Sequence, residues 1–145
     1  MTIDKTYTAV AEEHLDAIVT ELVPLVRKYK VLVLYGDLGA GKTTIVAKLA
    51  AAFGSANVAA SPTFAYVHRY TMPNGSLYHF DLYRLPSKQA WYAHGFDDLL
   101  QEPGAIACIE WPAVIVSALQ RPFLQLTITP TSATTRELWL QTIEG

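Results

Sequence analysis

Val31-Leu32-Val33-Leu34-Tyr35 runs without a gap into Gly36-Asp37-Leu38-Gly39-Ala40-Gly41-Lys42-Thr43, an apolar segment followed by the spacing G-x-x-x-x-G-K-[ST]. Such an uninterrupted apolar run reads as a strand covered on both faces, and Lys42-Thr43-Thr44-Ile45-Val46-Ala47-Lys48-Leu49-Ala50 can begin a helix. Strand, glycine turn and helix together make a phosphate-binding loop. Glycines let backbone N–H groups approach phosphate oxygens where a Cβ would clash, and the helix N-terminus adds positive dipole at the same spot. In this setting Lys42 pairs with the β- and γ-phosphates of a nucleotide, and Thr43 gives its hydroxyl to Mg2+. The plain alternative is a glycine-rich turn with a surface lysine, and the flanking strand and helix argue against it.

At 145 residues the chain is expected to form a single domain over residues 1–145, without room for a separate substrate domain. A second substrate then binds close to the loop or comes with a partner. Net charge is −2 with a pI near 6.0, and no run of Lys or Arg forms a stripe, which argues against strong independent binding of nucleic acid. Met1 to Thr6 lacks the apolar core of a signal peptide, and no stretch approaches the roughly 18 apolar residues of a membrane span, so a cytoplasmic protein is expected. Cys108 is the single cysteine and lies in the apolar run Ala105 to Ile109, the place of a small buried residue rather than a nucleophile.

Working outward from the loop, Leu15, Ile18, Val19, Leu22 and Val26 recur at helical spacing and predict a helix from Glu12 to Arg27 that Pro24 kinks or ends early. Gly54 is placed to stop the helix after the loop, and a linker of small residues follows from Ser55 to Ala60. Phe64 to Tyr70 and Leu77 to Tyr83 read as two strands paired through an Asn74-Gly75 turn, with His79 and Asp81 on one face of the second. Pro86 to Gln101 reads as helical with a break at Gly95, Ala105 to Ile109 as a buried strand, and Pro112 to Leu119 as a helix. Phe123 to Thr129 and Glu137 to Ile143 close the chain as strands around a turn at Pro130-Thr131-Ser132. The expected architecture is α/β: a P-loop NTPase fold whose mixed sheet has a parallel core and antiparallel hairpin additions, flanked by helices.

A phosphate loop needs an acid near its metal. Glu110, at the end of the Ala105 to Ile109 run, would emerge at the carboxyl edge of the sheet, where open α/β sheets bind ligands. Asp81 is the second candidate, for the metal or for orienting an attacking water, and the sequence does not fix which acid lies nearer the metal. Ser61-Pro62-Thr63 could hold a γ-phosphate sensor or an ordinary turn, with nothing in the residues to separate the two. Arg84 could neutralise phosphate charge, Trp111 beside Glu110 could stack near the nucleotide or simply pack, and His79 reads as a hydrogen-bonded strand histidine, with no second ligand at metal spacing.

Taken in order, Gly36 to Thr44, Ser61-Pro62-Thr63-Phe64, Leu77-Tyr78-His79-Phe80-Asp81-Leu82-Tyr83-Arg84-Leu85 and Ile109-Glu110-Trp111-Pro112 resemble the bacterial TsaE family. The resemblance implies a small ATPase that uses ATP and Mg2+, hydrolyses slowly by itself, and acts on a complex of TsaB and TsaD that forms the threonylcarbamoyl group on adenosine 37 of certain tRNAs. Contact with tRNA would be indirect. By position it implies that Lys42 is the phosphate lysine, Thr43 the magnesium hydroxyl, Glu110 the magnesium carboxylate and Asp81 the acid needed for hydrolysis. Thr63 would be a switch-like hydroxyl, Trp111 the aromatic beside the nucleotide, and Arg136 an arginine near it. The chain departs from the family pattern at Glu12-Glu13-His14, where relatives usually carry a Thr, and over Ser87 to His94, which lacks the usual acidic, Leu-rich character. Two other readings compete with a partner-coupled ATPase. One is a nucleotide-gated adaptor in which hydrolysis hardly matters; the other is a small-molecule kinase, against which the five arginines are too scattered for a lid.

Overall fold

The computed structural model describes residues 2–56 and 66–145. Seven strands form one sheet: β1 Asp4–Val10, β2 Val31–Tyr35, β3 Val67–Met72, β4 Gly75–Asp81, β5 Ile106–Glu110, β6 Phe123–Pro130 and β7 Arg136–Ile143, in the order β1-β7-β6-β2-β5-β4-β3. Parallel pairing joins β6 to β2, β2 to β5 and β5 to β4, whereas β3, β7 and β1 add antiparallel at the two sides. Leu32, Val33 and Leu34 of β2 have no exposed surface, which is why the strand carries apolar side chains without alternation.

Helices α1 Leu15–Tyr29 and α2 Lys42–Ala52 cover one face, where Leu15, Leu22 and Val26 meet Ile45, Leu49 and the strand residues Leu32, Leu126 and Cys108. The other face packs Val33, Phe80, Ile109 and Phe123 against Trp91 and Phe96 from two short helices, α3 Lys88–Ala93 and α4 Phe96–Leu99. Gly95, at φ 75°, makes the expected break between those two, and Ser87 caps α3 by accepting from the Ala90 N–H at 3.1 Å. Among the described residues no helix is long and apolar enough to cross a membrane.

Several elements differ from expectation for identifiable reasons. Pro24 does not end α1, which continues to Tyr29; the carbonyl that loses its partner belongs to Thr20, an exposed residue, so water can take the bond. The β3–β4 turn consists of Pro73 and Asn74, since Met72 already pairs with Gly75. Gly75 is needed within the strand because a Cβ there would collide with the Gly104 carbonyl. Tyr66 takes a left-handed φ of 66°, so β3 begins at Val67; residues 64 and 65 of the expected strand, and residues 57–60 of the linker, lie outside the described residues. In place of a helix from Pro112 to Leu119 there are two 3-10 turns, Pro112–Val114 and Val116–Ala118, separated by Ile115 at φ −123°. Three consecutive β-branched residues, Val114-Ile115-Val116, disfavour the α conformation there. β1 has no counterpart in the sequence reading, because it is an edge strand exposed along most of its length and shows no apolar alternation.

Cys108 is fully buried in β5, and burial, with the Glu110 charge adding to it, holds its thiol far above the ordinary 9.0. The native thiol therefore keeps its proton where the unfolded one has lost it. Its contribution to stability is complete below pH 9.0 and declines as the pH rises above that value. Iodoacetamide at about pH 8.5 is expected to leave Cys108 unmodified in the native protein and to alkylate it in denaturant, as mass spectrometry would record. Cys108→Ala should flatten the alkaline fall in urea-denaturation stability.

Candidate functional site

Parallel pairing brings the carboxyl ends of β2, β5 and β4 to one edge of the sheet, with Asp81 directly opposite Glu110 in the register. Gly36 leaves β2 at this edge, and the chain turns through Gly39 at φ 81° and Gly41 at φ 102° before α2 starts at Lys42. Among the described residues no side chain caps that helix N-terminus by a hydrogen bond, and its first turn has no acidic residue of its own, so its dipole faces the loop.

Lys42 does not reach into solvent. Its ammonium donates to the Gly36 carbonyl at 2.5 Å and lies 3.7 Å from the centre of the Trp111 ring, and the residue is 4 % exposed. Burial lowers its pKa from the ordinary 10.5, while the charges of Glu110, Asp81 and Asp37 each pull in the opposite direction. Trp111 attains its position through a left-handed backbone at φ 56°, ψ 55°, a conformation that costs a non-glycine residue on the order of 1–2 kcal/mol. Tyr83 packs edge-on against the same indole at 4.8 Å. A second left-handed residue, Tyr66, accepts the Asp81 N–H at 2.9 Å, so backbone strain gathers around the two acids.

Glu110 is 4 % exposed, and its Oε2 accepts the Thr43 hydroxyl at 2.9 Å and lies 2.5 Å from His79 Nε2. The Asp81 carboxylate instead accepts the Tyr83 N–H at 3.1 Å, a local turn that fixes the side chain beside Glu110. Arg136 opens β7 and donates to the Ala40 carbonyl at 3.0 Å, and a Cβ on Gly41 would strike the same guanidinium. β7, two strands away from β2 in the sheet, is thereby tied to the loop.

The fold thus gathers Lys42, Thr43, Glu110, Trp111 and Arg136 around Gly36 to Gly41, with Asp81 adjacent. Asp37, Leu38 and Thr44 lie exposed on the loop and the first turn of α2, and Arg84 is exposed beyond β4. Thr63, with Ser61 and Pro62, lies outside the described residues. Glu12–His14 forms a 3-10 turn ahead of α1. Sequence reasoning missed the His79–Glu110 contact and the Tyr83–Trp111 packing. Strand alternation pointed to the first by putting His79 on the face of Asp81; nothing local pointed to the second.

A hydroxyl hydrogen-bonded to a carboxylate is a hard oxygen pair suited to Mg2+. Among the described residues no group of three or more His, Cys, Asp or Glu side chains is arranged to hold a metal, so such an ion would need oxygens from a ligand and water to complete its shell, as Mg2+ ordinarily does. The uncapped helix N-terminus and the buried ammonium fit a phosphate.

The sheet order and this loop define a P-loop NTPase fold, and the crystal structure of YdiB from Bacillus subtilis matches it with a TM-score of 0.74 over 99 % of this chain and 88 % of that one, at 27 % identity. The family model of the threonylcarbamoyl adenosine biosynthesis protein TsaE matches residues 9–138. The tRNA threonylcarbamoyladenosine biosynthesis protein TsaE of Rickettsia conorii is 32 % identical over 123 residues, covering 84 % of this chain and 69 % of its own. The protein of the same name from Aquifex aeolicus is 44 % identical over 78 residues, 52 % of this chain and 59 % of its own. The chain belongs to the TsaE family, and with it to tRNA threonylcarbamoyladenosine biosynthesis.

The loop geometry separates two glycines that look alike in the sequence. A Cβ on Gly39 meets nothing within 4 Å, whereas one on Gly41 meets Arg136. Gly39→Ala should cost only the left-handed strain, about 1–2 kcal/mol. Gly41→Ala should cost more, and adding Arg136→Ala should recover the steric part, as urea denaturation of the three variants would show.

Proposed function

We propose that this protein is a Mg2+-dependent ATPase that supports formation of the threonylcarbamoyl group on tRNA by acting on a TsaB–TsaD complex in the cytoplasm. The observation that carries the proposal is the Thr43 hydroxyl held on the buried Glu110 carboxylate, one residue from a buried Lys42 at the mouth of an uncapped helix. A hydroxyl, a carboxylate and an ammonium at these positions match the needs of a metal-bound nucleoside triphosphate.

In this reading the loop N–H groups and Lys42 bind and orient the phosphates. Thr43 and Glu110 hold Mg2+, and what the ion supplies when bound is neutralisation of phosphate charge. Asp81, fixed beside Glu110 by the Tyr83 N–H, orients the attacking water. Trp111 and Tyr83 wall the phosphate end against solvent, and Arg136 keeps the loop in shape through Ala40. Thr63 would sense the γ-phosphate. Catalysis is then mostly positioning and charge stabilisation, with little covalent work for the protein. Slow turnover alone and faster turnover on the partner complex follow if the partner completes the water-excluding wall.

Lys42→Ala is expected to abolish ATP binding in calorimetry. Asp81→Ala and Glu110→Ala should retain measurable binding while hydrolysis drops by at least about 100-fold. In a modification assay with purified TsaB and TsaD, ATP plus this chain should sustain many turnovers and a non-hydrolysable analogue should not. Full stimulation by the analogue would favour a nucleotide-gated adaptor; no stimulation by either would defeat the proposal.

A further inference from the structure

His79 sits in the middle of β4, with no exposed surface, opposite Cys108 of β5 in the register and so two positions before Glu110 along the neighbouring strand. It shares its face with Leu77 and Cys108, both buried and non-ionic in this packing. A polar ring in such a wall costs free energy unless its hydrogen bond repays the desolvation. It has one: Nε2 lies 2.5 Å from Glu110 Oε2, and Nδ1 has no partner among the described residues. A carboxylate only accepts, so Nε2 is the donor of this pair.

Oε2 is also the oxygen that accepts from Thr43 at 2.9 Å. An oxygen with two donors has both in-plane lone pairs engaged, and two donors from different directions fix the plane of the carboxylate. Oε1 is then the oxygen available to another ligand. We propose that His79 is a positioning residue for Glu110: by occupying Oε2 from the sheet side it orients the carboxylate so that Oε1 and the Thr43 hydroxyl oxygen together receive the metal or its bound water. The inference rests on the assignment of Thr43 and Glu110 to Mg2+ made above. His79 itself touches neither metal nor nucleotide in this scheme.

Calorimetric titration of ADP, with and without Mg2+, separates the two ideas without relying on turnover. The parent chain should bind ADP more tightly as Mg2+ is raised. His79→Leu should shift the Mg2+ concentration needed by about tenfold or more, the usual effect of losing an outer partner of a metal ligand, while Mg2+-free ADP affinity stays within about twofold of the parent. His79→Gln, whose amide extends to about the place of Nε2, should keep the parent's Mg2+ dependence, and the shorter His79→Asn should lose it. In a Glu110→Gln background, His79→Leu should make no further difference. If the leucine variant does not fold, the Gln and Asn pair carries the same comparison. A parent chain insensitive to Mg2+ would overturn the metal assignment and this proposal with it. A sensitive parent, with His79→Leu or His79→Asn equally sensitive, or with an added loss in the Glu110→Gln background, would overturn the role of His79 alone.

Discussion

The Glu110 carboxylate is 4 % exposed at the end of a strand with neighbours on both sides, and an ionised group kept that far from water persists only where donors surround it. The penalty for an unpaired buried charge is several kcal/mol. A hydrogen bond to a charged group returns roughly 1.5–3 kcal/mol, so a hydroxyl and an imidazole on one oxygen offset most of it. Those donors come from separate elements, Thr43 from the first turn of α2 and His79 from β4. Satisfying one charge therefore fixes the helix after the phosphate loop against two parallel strands. The loop inherits its position from that arrangement: β2 delivers its first residue, and Arg136 of β7 restrains its far end through the Ala40 carbonyl.

Much of this was legible in the chain because the loop pattern and the elements beside it agree at every level. β2 begins and ends at the residues the apolar run marks, α2 starts at the lysine, and Gly54 follows its last turn. Elements whose signal is burial on both faces, such as β5, were also plain. Illegible elements had partners that sequence periodicity does not see. β1 gains its place by pairing with β7 at the sheet edge, so it needs no apolar face. The β3–β4 turn lies one residue earlier than expected, and Gly75 falls in the strand, where a Cβ would collide with the carbonyl of Gly104, 29 positions later in the chain. Close approach between remote backbones leaves only a glycine in the sequence, and a glycine beside Asn74 looks like a turn residue.

The site divides in the same way. Lys42, Thr43 and Glu110 could be named from spacing and from the end of an apolar strand, and the fold places them together. The relation between the two acids was not legible, since it depends on strand register: β4 and β5 set Asp81 opposite Glu110, yet only Glu110 receives the Thr43 hydroxyl, while Asp81 is held by its own turn. Likewise His79 gave a correct general expectation, a hydrogen-bonded strand histidine, without its partner. Hydrogen bonds between neighbouring strands follow from pairing, and pairing of parallel strands far apart in sequence is the information a single chain carries least directly.

The groups that would bind phosphate under the proposed function have partners within the chain. Lys42 is bonded to Gly36 and covered by Trp111, and Thr43 is engaged by Glu110. A phosphate bound there as proposed would replace the neutral carbonyl acceptor of the ammonium with an anionic one, and a charge-assisted bond is about twice as strong. The same substitution acts on protonation. Burial pushes the Lys42 pKa down while Glu110, Asp81 and Asp37 pull it up, and an added anion joins the second group. By linkage, an anion that raises the pKa of the lysine also binds its protonated form more tightly. On that proposal the internal carbonyl and the indole hold the ammonium in place without outcompeting a phosphate, because the anion is the stronger acceptor.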